Sequence, residues 1–433
     1  MMSLSVPFKN VQVRLLAVLA LINFVNFADR LVLNPLVPLL RQHFGVSDAQ
    51  LGSLQTGLLV VLAIASIPSG FLADRFSQPK IIAIGVLFWS LATIASGLAP
   101  TFILLFFARA FVGVGEAAYA PAAQTMISDS FSYEHRAMAQ AIFASGMLLG
   151  GAAGLALGGI MGARHGWQSA FIIVGVAGIF PGLSSFRLKE PPRRPRSELT
   201  AIRQLIRVPA FLALIIAGTC ITFSSVSLVS WGVDYAMSYK GFSLREAAVS
   251  LSIIALLSLV MGALSGGYFA DILQKRFAYG RVLVIACAFL VAAPFLLLAI
   301  QSDEKWVVLG GLFVSGYFMS WYHGPVTAVI HDLTPQRAHA TAIGIYMFVT
   351  QLVGALGSVL IGRISDISDL QIGLQAAVGV MVFGSLLMFV VIHFVKRDGL
   401  HHPSLAAFRT EDELARCVPP VRANQPKPQN NLA

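Results

Sequence analysis

Gly70-Phe71-Leu72-Ala73-Asp74 closes one long apolar run, and Gly267-Tyr268-Phe269-Ala270-Asp271 closes another in the second half of the chain. Both read G-x-x-A-D. A second pair opens later apolar runs: Arg136-Ala137-Met138-Ala139-Gln140-Ala141-Ile142 and Arg337-Ala338-His339-Ala340-Thr341-Ala342-Ile343 share R-A-x-A-x-A-I. One match could be chance in an Ala-rich chain, but two at equivalent places predict a duplicated unit, its repeats related about an axis along a membrane normal. Working outward, hydropathy predicts spans near 12–40, 49–72, 81–99, 101–128, 137–162 and 167–187, then near 209–238, 245–270, 281–300, 306–330, 338–362 and 372–395. The expected fold is an all-α membrane protein of twelve transmembrane helices in two pseudo-symmetric six-helix bundles. The bundles are set at 1–188 and 209–398, with a linker at 189–208 and a tail at 399–433.

Composition agrees. Of 433 residues, 57% are hydrophobic and 12% charged, against about 45–50% and about 25% in soluble domains, which excludes an ordinary soluble enzyme. The first span is too long for a signal peptide and carries Asp29 and Arg30. With both termini placed in the cytoplasm, only Arg41, Arg164, Lys240, Arg245, Lys305 and Arg363 fall in outer loops, while Arg30 and Arg109 lie within spans. All the other Lys and Arg residues are cytoplasmic, so the positive-inside rule orients the chain as a multi-pass protein of the plasma (inner) membrane. The net charge of +10 then needs no nucleic-acid partner. Cys220, Cys287 and Cys417 have neither paired nor metal-ligand spacing, and no cofactor, metal site or P-loop is encoded. The Pro- and Arg-rich run Glu190 to Arg196 either touches anionic headgroups or only sets orientation. The tail is expected to form one short helix over Ser404–Arg416 and to be disordered from Val418.

Charge inside a span is the sharpest signal. It costs about 2.5–3.5 kcal/mol at mid-bilayer on insertion scales, so such residues are rare, face the interior and usually have a function. Arg109 and Glu116 are seven residues apart, two turns and about 10 Å along one helix face. Span four runs inward, placing Arg109 in the outer half and Glu116 midway or deeper. Span one runs outward and places Asp29 where it can meet Arg109. Asp29 and Glu116 are the candidate proton-coupling acids, and a permanent structural ion pair is the alternative. The glycines of span five, Gly146 to Gly162, serve close packing or a gating hinge. Hydroxyls of span seven with Trp231, Asp234 and Tyr235, and Tyr322 and His323 of span ten, either line a cavity or bond within their own bundle.

The two halves and the loop Gly70-Phe71-Leu72-Ala73-Asp74-Arg75 resemble the major facilitator superfamily, although Ser77 and Gln78 depart from its usual Gly and Arg. The gating set is Gly70, Asp74, Arg75 and Arg136, with Asp74 accepting hydrogen bonds from a neighbouring helix N-terminus or pairing with Arg136 while the cytoplasmic side is closed. Span four reads Arg109-Ala110-Phe111-Val112-Gly113-Val114-Gly115-Glu116-Ala117-Ala118-Tyr119. With Asn26-Phe27-Ala28-Asp29-Arg30, Phe88-Trp89-Ser90-Leu91 and Glu190-Pro191-Pro192-Arg193, it resembles the Spinster family. That resemblance implies a proton-linked carrier of lysophospholipids or sphingosine 1-phosphate, with the span-one acid and the span-four Arg and Glu lining a central cavity. Arg30 or Arg109 would hold a phosphate, and Asn26, Glu116, Tyr119, Tyr322 and His323 complete the substrate-facing set. The expectation is a monomeric secondary transporter working by alternating access. Small organic anions or drug-like amphiphiles are the second substrate class, and a sensor or passive scramblase the reading of another kind.

Overall fold

The computed structural model describes residues 10–131, 133–190, 205, 208–334 and 339–397. The helices are α1 (Asn10–Val32), α2 (Val37–Phe44), α3 (Asp48–Arg75), α4 (Gln78–Gly97), α5 (Phe102–Ser130), α6 (Tyr133–His165) and α7 (Trp167–Ser185) in the first half. The second half has α8 (Pro209–Lys240), α9 (Leu244–Arg276), α10 (Gly280–Gln301), α11 (Lys305–Met319), α12 (His323–Leu333), α13 (His339–Gly354), α14 (Leu356–Ile367) and α15 (Leu370–Arg397). Among the described residues there is no strand, and 11 stretches are long and apolar enough to cross a bilayer. The twelfth crossing is α11 and α12 joined by a 3-10 turn over Ser320–Tyr322. Pro325 causes that break, since it cannot donate to the carbonyl of Trp321 one turn earlier. Span one is broken likewise, by a 3-10 turn at Asn34–Leu36 that holds Pro35. Most of the expected linker, and the expected tail helix, lie outside the described residues.

The duplication extends to the first hairpin of each half. Gly45 ends α2 and Gly241 ends α8, both left-handed at φ 62° and 65°, a conformation glycine adopts without steric cost. Two residues later Ser47 and Ser243 cap α3 and α9, and each forms a reciprocal capping box, with Gln50 and with Glu246.

Helix contacts explain the glycines of span five. Gly146, Gly150, Gly154 and Gly158 recur every fourth residue and lie along α1, so close that a Cβ at Gly154 would stand 2.7 Å from Ala28 Cα. Small residues at this spacing let two backbones pack tightly in lipid, where packing replaces the hydrophobic effect as the driving force. Further along α6, Gly159 faces Ala248 and Leu244 of the other half, while Gly162 packs on Leu36 and Leu39 of its own.

With twelve crossings, the described ends, Asn10 and Arg397, lie on one face, here termed inner. The hydrogen bonds that join described residues of the two halves gather toward the other, outer face. Asn34 Nδ2 donates to Val229 O at 3.0 Å, Thr56 Oγ1 to Ala355 O at 2.6 Å, and Arg41 reaches Asp234. The halves are therefore pressed together at the outer face.

Replacing Gly154 by Val is expected to force α1 off α6 and to cost about 1–3 kcal/mol by overpacking, read as a lower unfolding midpoint in detergent. Gly344→Ala, where a Cβ meets nothing within 4 Å, should leave the midpoint close to that of the parent.

Candidate functional site

The site is built on α1 and α5. Asn26, Asp29 and Arg30 stand at i, i+3 and i+4, on one side of α1. On α5, Arg109 and Glu116 project toward them, and the glycines between explain how α5 comes so close to its neighbours. A Cβ at Gly113 would lie 2.9 Å from Leu62 N of α3, and one at Gly115 would lie 2.8 Å from Trp89 N of α4. The G-x-G of span four thus clamps α5 between two helices and turns its charged face inward.

Two ion pairs result. Arg109 Nη1 donates to Asp29 Oδ1 at 2.8 Å and Nη2 to the Asp29 carbonyl at 3.2 Å, while Thr93 Oγ1 of α4 donates to Asp29 Oδ2 at 2.7 Å. Arg109 also lies over the Phe171 ring, 5.4 Å from its centroid. Both carboxylate oxygens of Asp29 are satisfied. The second pair is Arg30 Nε to Glu116 Oε2 at 2.7 Å, with Arg30 over Phe27 at 5.0 Å. Helical side chains point back toward the helix N-terminus, which is how Arg30, one residue beyond Asp29, reaches down to the deeper Glu116.

The two pairs differ in two respects. Glu116 Oε1 is buried with no hydrogen-bond partner among the described residues, as are Asn26 Nδ2 and Arg109 Nε. The Arg30 side chain keeps 16% exposure while those of Asp29, Arg109 and Glu116 have 1% or less. The four charges cancel, so the cluster is neutral, but the Asp29 carboxylate is filled on both oxygens in an enclosed pair, whereas the Glu116 carboxylate is filled on one and its partner is reachable.

Tyr119 is buried one turn from Glu116; its hydroxyl donates to Leu19 O at 3.0 Å and its ring packs on Trp89 and Phe143. In the other half, Tyr322 sits in the 3-10 break of span ten, edge-on to Phe289, its hydroxyl bonded to that of Tyr346, and the neighbouring His323 is exposed. No hydrogen bond or ion pair among the described residues joins this group to the α1–α5 cluster. The hydroxyls of span seven bond back to their own helix, as in Thr219 to Ile215 O and Ser227 to Phe223 O. Trp231 and Tyr235 bond to carbonyls of Ser358 and Ile300. Of the expected gating set, Gly70, Asp74, Arg75 and Arg136 fall on positions whose side chains lie outside the described residues. The repeat counterpart of Asp74, Asp271, is held by Arg281 at 3.1 Å, which also grips Asp332 at 2.7 Å. Thr93 and Tyr346 are site neighbours that the sequence did not single out: a lone hydroxyl in an apolar span has no distinguishing pattern.

Comparison with known proteins follows from this geometry. The family model for the Major Facilitator Superfamily matches residues 19–358 and 267–419. An MFS-type efflux pump of Mycolicibacterium smegmatis is 27% identical over 368 residues, covering 83% of this chain and 86% of its own. Protein spinster homolog 1 of Homo sapiens is 28% identical over 391 residues, covering 81% of this chain and 72% of its own. The crystal structure of a bacterial homolog of the human lysosomal transporter Spinster, inward-facing and unoccupied, superposes with a TM-score of 0.80 at 23% identity, over 90% of this chain and 99% of that one. With its two ion-paired bundles, its duplicated hairpins and a family match running through nearly the whole chain, the protein belongs to the major facilitator superfamily and resembles its Spinster members.

Proposed function

We propose that this chain is a proton-coupled secondary transporter of an amphipathic anionic lipid, of the lysophospholipid or sphingosine 1-phosphate kind, working by alternating access. The observation that carries the reading is the half-satisfied Arg30–Glu116 pair within a membrane crossing. A proton on Glu116 removes its charge, gives the unmatched carboxyl a donor, and frees the Arg30 guanidinium to hold a phosphate or carboxylate with its planar fork. Proton and substrate thus act on one ion pair, the proton taking Glu116 and so releasing Arg30 to the anion, and this linkage is the minimum that coupling requires. Asp29 and Arg109 form the supporting pair, and Arg109 reaches a headgroup only once Asp29 lets go. Asn26 offers its unmatched donor beside them, Tyr119 fixes α5 against α1, and Tyr322 with His323 supply the facing wall. The apolar interior takes the acyl chain.

The bundles are taken as 1–188 and 209–398, with both termini cytoplasmic in the inner membrane, so the closed outer face corresponds to an inward-open state. The 27% identity to an efflux pump favours one second reading, drug-like amphiphiles or small organic anions in the same site.

Glu116→Gln, which keeps the volume and removes the titrating group, is expected to abolish pH-gradient-driven uptake of a fluorescent lysophospholipid in proteoliposomes while the unfolding midpoint holds. Full driven uptake by that variant would remove Glu116 from coupling. Arg30→Ala should lose the thermal stabilisation that lysophospholipid confers and Arg30→Lys should recover part of it, whereas stabilisation by small organic anions alone would select the second substrate class. Each Arg→Ala change leaves a buried carboxylate unpaired, a loss of about 3–5 kcal/mol, but Arg109→Ala removes two hydrogen bonds from Asp29 where Arg30→Ala removes one from Glu116, so its unfolding midpoint should be the lower of the two.

A further inference from the structure

The outer face carries a second charge network that shares no residue with the α1–α5 site. Arg41 of α2 donates from Nη1 and Nη2 to the two oxygens of Asp234 on α8, at 3.0 and 2.6 Å, and from Nε to Asp48 at 2.8 Å. The Asp234 side chain is 1% exposed. The other Asp48 oxygen accepts from Ser365 Oγ of α14 at 2.6 Å. Asp366 completes the network: its two oxygens accept from the backbone N–H groups of Asp48 and Ala49 at 2.7 and 2.9 Å. Those amides open α3, where N–H groups have no intrahelical partner and the helix dipole is positive. Beside the capping box of Ser47 and Gln50, α3 therefore has a second cap, and this one comes from the opposite half of the protein. Backbone approach reinforces it, since a Cβ at Gly52 would lie 2.9 Å from Val359 Cα and one at Gly362 would lie 2.9 Å from Ala49 N.

A cap supplied by the other bundle exists only while the bundles touch. The same holds for the two-pronged Arg41–Asp234 bond, and Asp234, buried as it is, gives up Arg41 only if water enters. We infer that Arg41, Asp48, Asp234 and Asp366 form an outer latch that holds the transporter closed on the face opposite its termini and must open in each transport cycle. Helix α3 is the element it acts on. Its N-terminus is gripped by Asp366 at the outer face, and the G-x-x-A-D at its other end carries Asp74, the carboxylate expected to grip a partner at the inner face. One rigid helix of 28 residues would then be anchored to the C-terminal half at alternate ends.

The inference rests on the alternating-access reading, and the test separates the two. In a background with Cys220, Cys287 and Cys417 changed to Ser, spin labels at Gln42 and Ser368 report the outer face and labels at Lys80 and Ala278 the inner face. Asp366→Asn, whose side chain is exposed and whose replacement is isosteric, is the first variant, and Asp234→Asn the second. Each removes charge-assisted hydrogen bonds, so each should raise the ratio of long to short outer distances at least about tenfold, with inner distances shortening in the same sample. Unchanged outer distances in Asp366→Asn and in a folded Asp234→Asn would overturn the latch. Outer widening with no inner shortening would uphold the latch and overturn alternating access.

Discussion

Charge neutrality inside the bilayer is the constraint on which the rest of the arrangement depends. Four ionised side chains, Asp29, Arg30, Arg109 and Glu116, lie within two membrane-crossing helices, and any one of them unpaired would cost several kcal/mol. Pairing each acid with a base on the other helix fixes the rotation and height of α1 relative to α5 more tightly than apolar contacts could. Glycine packing on other faces holds the two helices where the ion pairs at 2.7 and 2.8 Å can form: Gly113 and Gly115 seat α5 against α3 and α4, and Gly146 to Gly158 press α6 on α1.

The same packing separates what is rigid from what can move. Within the first half, helices meet backbone to backbone through glycine, which leaves no room for sliding. Between the halves, close backbone contact at Gly52 and Gly362 is joined by side-chain caps and forks whose hydrogen bonds water can replace. The charge cluster at α1–α5 belongs wholly to the first half.

Much of this was legible in the sequence. Hydropathy placed twelve crossings, and the structure holds them, although Pro325 and Pro35 break two into shorter helices. The meeting of Asp29 and Arg109 followed from helix direction and depth. A third repeat, Gly45-Val46-Ser47-Asp48-Ala49-Gln50 against Gly241-Phe242-Ser243-Leu244-Arg245-Glu246, was equally readable as a glycine stop followed by a capping box, and it is as informative as the two used. The Arg30–Glu116 pair was not legible: helical spacing puts Arg109 and Glu116 on one face but does not say which base reaches which acid, because the answer depends on the backward slant of an Arg side chain. Arg41 and Asp234, separated by 193 positions, were each assigned to an end of a span and never to one another, since nothing local couples residues on two bundles.

The placement of unmatched groups bears on mechanism. A buried carboxylate with both oxygens filled has one preferred state, and Asp29, with a donor on each oxygen and the Arg109 guanidinium folded against its backbone, is such a group. A network left partly unfilled has states of comparable free energy, because a proton or a ligand can complete it in different ways. Glu116 Oε1 and Asn26 Nδ2 are unfilled within the membrane and adjoin a cation with residual exposure. The sum of charges is the same in both pairs, so neutrality alone does not distinguish them. The distinction lies in the carboxylates, Asp29 filled on both oxygens and Glu116 on one, which makes one pair an anchor for the fold and the other the place where binding can change the balance between conformations.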